Sequence, residues 1–553
     1  MEQFLWVVEK YPFVPFVPSW TSCFCQEGVG FSPATGNSLC KSADMAQILD
    51  TKSYWVRTAA LPSFKPLDRN VTVDVAIVGG GLTGISAAYL LKSAGLTVAL
   101  VERGLCGAID TGHTSAHLTM VTDELLTDLV KNFGKDTATA VWDAGRVAID
   151  RIEANIETES ISCDFIRVPG FLHMALAGSG ASPDQLREQG ELADQLGFAA
   201  AYVPAIRPFS LAGVRFDNQA LFHPRKYLAG LLPSIPGDGS HVFEQTAVED
   251  VTDGPLTVHA GGHRISCGYV VLATHTPREG KSSFLSAALL QTKLAPYSTY
   301  VLGGRLPQGQ VPHGLYWDTT DPYHYLRVEP RDGHDFAIFG GADHKTGQQS
   351  DTAVCWDRLE TTLRHHLPTF ELTDRWSGQV IEPVDGLPYI GETAAQQFVA
   401  TGFSGNGMTF GTIAAMMARD AILGRPNPWR EVFDPHRKSV RAGAWDFVKE
   451  NKDYALYMLR DRVPSRHATS LRSVRPGHGD VVNLDGKRVA VYRDAQGVVQ
   501  MCSAICTHMG CEVQFNAGET SWDCPCHGSR FRTDGSIIAG PAESRLAPHG
   551  KES

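Results

Sequence analysis

The sequence predicts an α/β domain on a mostly parallel sheet, a strand-rich domain inserted into it, and a small all-β domain at the C-terminus. Two observations carry this reading. Upstream, an apolar strand runs into a glycine turn and then a helix. Downstream, two short cysteine-histidine runs lie a hairpin's length apart. A chain of 553 residues, 43% apolar, has material for about three or four folding units.

The upstream signal is Val73-Asp74-Val75-Ala76-Ile77-Val78 followed by Gly79-Gly80-Gly81-Leu82-Thr83-Gly84, with a helix expected from Ile85 to Ala94. Gly79 permits the turn, Gly81 lets the backbone approach a pyrophosphate, and Gly84 lets the helix pack close to the strand. The phosphates then meet the helix N-terminus. The next strand, Thr97 to Val101, ends at Glu102, where a carboxylate can accept a hydrogen bond from a ribose hydroxyl. These parts complete a dinucleotide-binding unit, but they do not separate FAD from NAD.

The downstream signal is Cys506-Thr507-His508-Met509-Gly510-Cys511 and Cys524-Pro525-Cys526-His527-Gly528-Ser529-Arg530-Phe531. The spacing C-x-H, fifteen residues, C-x-x-H supplies two thiolates and two imidazoles, the mixed ligation of a Rieske [2Fe–2S] centre. Two Cys and two His also close a tetrahedron around zinc, so ligand type alone leaves that alternative open. Against it, each run holds a second cysteine that zinc does not need. Gly510, Pro525 and Gly528 give turns that bring N–H groups to sulfur, and Ser529 offers a hydroxyl. The runs resemble the Rieske motif family position by position. That resemblance implies Cys506, His508, Cys524 and His527 as metal ligands and a Cys511–Cys526 disulfide between the loops. Phe531 departs from it, standing where the high-potential members of cytochrome bc complexes place tyrosine.

The rest of the chain favours FAD. Val270 to Thr274 resembles the strand that closes the FAD domain of the glutathione-reductase-like superfamily. Asp385-Gly386-Leu387-Pro388-Tyr389-Ile390-Gly391 and Thr401 to Thr409 resemble the segments that return to the flavin. The second is a glycine turn before an apolar helix, Gly411 to Ile422, whose positive end would face the pyrimidine oxygen of the flavin. From residue 52 onward the chain resembles D-amino-acid-oxidase-like FAD-dependent oxidoreductases that carry a C-terminal Rieske domain. Further matching runs are Thr111 to Thr119, Phe222 to Tyr227, Tyr316 to Asp318 and Gly340 to Gly347. The implied FAD-binding residues are Gly79, Gly81, Leu82, Thr83, Gly84, Glu102, Arg103, His113, Thr114, Val248, Gly386, Gly405, Asn406, Gly407, Met408 and Thr409. His113 also raises covalent flavin attachment, against the ordinary outcome of a histidine packed on the dinucleotide. His117 departs from a lysine in the resembled run.

The resemblance implies flavin-mediated dehydrogenation of a C–N bond in an amine or amino acid. Period-two alternation puts Tyr323, Tyr325 and Arg327 on one face of a strand, a face that would line a pocket. The resemblance to amino-acid oxidases implies that these tyrosines and the arginine hold a substrate carboxylate there. An aromatic stripe packed on a neighbouring strand is the competing reading. A cluster takes one electron at a time, so the flavin's pair must leave singly, through the Rieske centre, to an external acceptor. Two rivals have different signatures. An NAD(P)H-driven reductase needs a second dinucleotide fingerprint, and a non-catalytic redox sensor shows no turnover.

Composition bounds the partners. The net charge is −11, and no dense basic run is present, which disfavours nucleic acid. No apolar stretch reaches membrane-spanning length, and Glu2, Glu9 and Lys10 interrupt any signal core. A small-molecule substrate and a cytoplasmic location are expected. The expected organisation is a disordered extension over 1–51, the FAD-dependent oxidoreductase with its substrate domain over 52–435, a linker helix over 436–465 and the Rieske domain over 466–553. Within 52–435, the dinucleotide domain is expected near 70–110, 210–280 and 380–425, with the substrate domain between the last two.

Overall fold

The computed structural model describes residues 52–277, 290–349, 351–437 and 470–549. The expected 1–51 extension and nearly all of the expected linker helix lie outside these residues.

The strand Val71–Val78 occupies the middle of an eight-stranded sheet. It pairs in parallel with Val98–Val101 on one side and His263–Leu272 on the other. Parallel neighbours His241–Phe243 and Gln397–Thr401 extend the sheet outward. Such strands are covered on both faces, which is why Val75 to Val78 read as an unbroken apolar run. Alternation splits that run between two cores. Val75 and Ile77 face the helices Leu82–Ser93 and Gly407–Ile422. Ala76 and Val78 face the side carrying Val251, Val258 and Ala260.

A nine-stranded sheet forms the inserted domain, in the order Glu371–Pro383, Leu294–Leu306, His334–Lys345, Tyr325–Arg331, Gly314–Asp318, Ile166–His173, Leu211–Leu221 and His117–Leu118, with Ala200–Ile206 beside Leu211–Leu221. Here the expected segmentation needs correction. Leu211–Leu221, placed by sequence in the dinucleotide domain, pairs with Ile166–His173, which runs parallel to Gly314–Asp318. The insertion is therefore drawn from both sides of the dinucleotide domain's middle segment. Leu326 and Val328 pack under the Ala353–His366 helix, whereas Tyr325 faces the first domain.

The C-terminal domain has a three-stranded sheet, His478–Leu484, Lys487–Arg493 and Val499–Ser503, and a four-stranded one from Gln514–Asn516 to Ile537–Ala539. Its core gathers Cys506, Cys511, Cys524, Cys526, Trp522 and Phe531. Among the described residues, no helix is long and apolar enough to cross a membrane.

Candidate functional site

A single deep cleft runs from the glycine turn to the inserted sheet. At the glycine end, Gly79 has φ +109°, and a Cβ there would sit 2.3 Å from the Ala273 carbonyl oxygen. A Cβ on Gly84 would lie 1.9 Å from the Gly79 oxygen, so Gly84 serves helix–strand packing and does not line the cleft. Gly81 differs: it is the N-cap of the helix, and a Cβ would meet only Thr111 Oγ1, at 3.2 Å. The helix begins at Leu82, three residues earlier than expected, because the Leu82 N–H is satisfied by Thr111 Oγ1 at 3.0 Å. Glu102 accepts from the Gly80 and Gly104 N–H groups, both at 2.7 Å. Leu82, Thr83, Arg103, His113, Thr114, Val248 and Gly405 to Met408 also line this cleft. Gly386 and Thr409 do not. Gly386 turns the chain against Glu124, and the Thr409 hydroxyl donates back to the Asn406 carbonyl inside the helix start.

His113 Nδ1 stands 2.8 Å from the Ile109 carbonyl, and burial lowers its pKa below the ordinary histidine value. Burial also pushes His117 down, to about 3, which keeps that cleft-lining ring neutral.

At the far end, Tyr323 and Tyr325 line the cleft with Trp317. The Tyr323 hydroxyl donates to Asp123 Oδ1 at 3.3 Å, and the Gly405 N–H donates to Asp123 Oδ2 at 2.7 Å. The Tyr325 hydroxyl pairs with Thr299 Oγ1 at 3.0 Å, and Thr299 also hydrogen bonds Asp343, whose carboxyl is pushed up to about 7 by burial. Arg327 is a correction. Its side chain is fully buried, away from the cleft, donating to Ala116 O at 2.6 Å, Phe222 O at 2.7 Å and the Glu329 carboxylate, with its guanidinium over Trp55. Alternation does place it on the face of Tyr325. Two residues further along a strand is about 7 Å, however, and that carries it past the cleft wall.

In the C-terminal domain, the two cysteine-histidine loops meet. Cys511 and Cys526 form a disulfide, while Cys506 and Cys524 are unbridged and buried. Hydrogen bonds from the Cys524 thiol, the His508 and Met509 backbone and the Ser529 hydroxyl favour a thiolate at Cys506. Ser529 Oγ in turn accepts from the Ala542 N–H at 3.1 Å. The His508 and His527 rings stand 4.9 Å apart and perpendicular. Two thiols in contact beside two facing imidazoles is the donor set of mixed N/S iron ligation. Phe531 is fully buried beside them.

Residues 74–421, more than half the chain, match the family model for FAD dependent oxidoreductases. The chain belongs to that family. Residues 466–549 match the Rieske [2Fe-2S] domain, so this oxidoreductase binds FAD in one part and a 2Fe-2S cluster in the other. It is 30% identical over 499 residues to the Bacillus subtilis protein YhfW, named as a Rieske 2Fe-2S iron-sulfur protein, covering 89% of this chain and 96% of that one. It is 23% identical to the gamma-glutamylputrescine oxidoreductase of Escherichia coli, over 75% of this chain and 99% of that one. Its fold matches glycine oxidase from Geobacillus kaustophilus with a TM-score of 0.54 and 18% identity, covering 66% of this chain and 99% of that one. L-proline dehydrogenase from P. horikoshii gives 0.54 and 17%, covering 67% and 98%.

The cleft fits FAD in charge and shape: a helix N-terminus behind Gly81, the Glu102 carboxylate at the end of the second strand, and uncrowded space where a side chain on Gly81 would project. The oxidoreductase also closes this cleft with its Rieske domain. Ile538, Ala539 and Gly540 form part of the wall, and Arg103 Nη2 donates to the Ile538 carbonyl at 3.3 Å. On the inserted sheet, Gln379 lines the cleft while its Nε2 donates to the Gly528 carbonyl at 2.9 Å, next to His527. Gln348 Nε2 reaches the Pro525 carbonyl at 3.2 Å, and the Gly518 N–H donates to Thr352 Oγ1 at 2.8 Å. Gly347, with φ +75°, lies so close to the second loop that a Cβ would come within 2.8 Å of the Pro525 nitrogen. Sequence reasoning missed Asp123, Thr299, Gln379 and the 538–540 wall. Asp343 lay unremarked within the Gly340–Gly347 run.

Proposed function

We propose that the protein dehydrogenates the C–N bond of an amine or amino acid and passes the electrons singly to its Rieske cluster. The observation that carries this reading is Gln379, which touches the flavin cleft on one side and the backbone beside His527 on the other. When bound, FAD supplies a two-electron acceptor and the cluster a one-electron acceptor. The chain's own residues do the rest. Tyr323, Tyr325 and Trp317 line the end of the cleft away from the glycine turn, where they would shield a reacting bond from water. Neutral His117, held by Ser115 Oγ at 3.0 Å, adds no cation that would repel a protonated amine. The names of the glycine oxidase, proline dehydrogenase and gamma-glutamylputrescine oxidoreductase relatives support C–N chemistry. An external acceptor then takes electrons from the cluster. The reading places the enzyme in the cytoplasm, which the free buried thiols of Cys106 and Cys163 support.

Anaerobic mixing with a panel of amines and amino acids tests it. The expected result is bleaching of the flavin band, followed by a reduced-cluster EPR signal. Bleaching by NAD(P)H and by no amine or amino acid would reverse the direction of electron flow.

A further inference from the structure

The substrate end of the cleft brings carboxylate and amide acceptors together with aromatic rings. Asp123 and Asp343 both line it, with Trp317, Tyr323 and Tyr325 beside them and the two tyrosine rings 5.9 Å apart. Asn406 lines it too. Its Nδ2 donates to the Val121 carbonyl at 2.9 Å, which fixes the amide orientation and leaves Oδ1, on a residue 5% exposed, without a partner among the described residues. Asp343 Oδ1 is likewise unpartnered there. The arginine that would have bound a substrate carboxylate, Arg327, is fully buried, with its donors committed to Glu329, Ala116 and Phe222. Among the described cleft residues, the permanently charged cation is Arg103, which follows Glu102 at the dinucleotide end and donates to Ile538.

We infer that the substrate is a cationic amine carrying no carboxylate on the reacting carbon, held by Asp123, Asp343 and Asn406 Oδ1 within the Trp317–Tyr323–Tyr325 wall. Carboxylates and aromatic faces attract an ammonium group and repel a carboxylate, which would meet two like charges and, among the described residues at this end, no guanidinium. This rests on the dehydrogenase reading. In that reaction the amine first loses an N–H proton to solvent. The C–H bond beside nitrogen then breaks, its hydrogen leaving as hydride to the flavin, while the nitrogen lone pair forms the C=N bond. Water hydrolyses the iminium to a carbonyl compound and an amine or ammonia.

The test uses the oxidised holoenzyme, anaerobically, with matched pairs that differ only by the α-carboxylate: butylamine with norvaline, benzylamine with phenylglycine, and 1,4-diaminobutane with ornithine. Perturbation of the flavin spectrum reads binding, and bleaching reads turnover. The carboxylate-free members should bind at least about tenfold more tightly, the scale of one charge-assisted hydrogen bond. Asp343→Asn and Asp123→Asn should each remove about tenfold of that preference with flavin content retained. Equal or tighter binding of the carboxylated members overturns the inference and leaves the dehydrogenase reading standing, as does the absence of any perturbation by the amines when amino acids bleach the flavin. Tight amine binding with no bleaching by any compound overturns the dehydrogenase reading, and the inference that the amine is a substrate falls with it.

Discussion

The two ends of the cleft are built on opposite principles. At the dinucleotide end, glycines bring backbone N–H groups and a helix N-terminus to the surface, an arrangement that welcomes anions. At the substrate end, Asp123, Asp343 and tyrosine rings project from strands and loops, an arrangement that welcomes a cation. Backbone makes the first end, so a single methyl group can ruin it. Side chains make the second, so substitutions there should change chemistry and leave the fold alone.

The largest effect should come from Gly84→Ala. Its methyl group would overlap the Gly79 carbonyl, a contact of 1.9 Å that only movement of the helix or strand relieves. A loss of about 3 kcal/mol or more, at the upper end of overpacking costs, is expected, read as a lowered Tm. Gly81→Val separates packing from cofactor binding, because its Cβ meets only Thr111 Oγ1. That variant should fold, keep its cluster and lose FAD. Retained flavin would mean the pyrophosphate lies elsewhere.

Arg327→Leu comes next. Removing the guanidinium leaves Glu329 buried with Arg331 alone, so a loss of about 3 kcal/mol is expected from the broken buried pair. Chemical denaturation measures it. A variant of wild-type stability with a raised KM would put the residue back in the pocket. This position shows where sequence reading stops. Alternation along a strand gives the face a side chain occupies but not how far the cleft extends beneath it. The cluster loops were legible because the residues they bring together are close in sequence and of distinctive type. The glycine turn was legible because steric rules fix its order. Asp123, Thr299, Asp343 and Gln379 had no such local mark; only the pairing of distant strands brings the last three together.

Asp343 should govern the pH dependence. Its carboxyl, raised to about 7 by burial, is neutral below that pH and anionic above it. A cation binds the anionic form better, so kcat/KM for an amine should rise through pH 7 in a step of about tenfold, the loss expected when this carboxylate is neutral. Deprotonation of the amine itself adds a rise common to both proteins. Asp343→Asn should remove only the step near 7, and identical profiles would show that Asp343 does not face the substrate.

The smallest effect concerns the cluster. Each hydrogen bond to sulfur favours the reduced, more negative state. Ser529 supplies one to Cys506, whereas Phe531, buried in the same core, supplies none. A differential of about 1 kcal/mol corresponds to roughly 40 mV for one electron. Phe531→Tyr should therefore raise the potential by about that much and Ser529→Ala lower it, as voltammetry would show. An unchanged or lowered potential in Phe531→Tyr would mean that its ring does not face sulfur.

On the proposed route, electrons leave the flavin cleft through the Rieske domain that closes it. Anaerobic stopped-flow absorbance with freeze-quench EPR, comparing wild type with Gln379→Leu, tests it most directly. The hydrogen bond from Gln379 to the Gly528 carbonyl is the link removed. Flavin bleaching should proceed at the wild-type rate in the variant, while the reduced-cluster signal appears more slowly. A cluster that stays oxidised in wild type after the flavin has bleached would rule that route out.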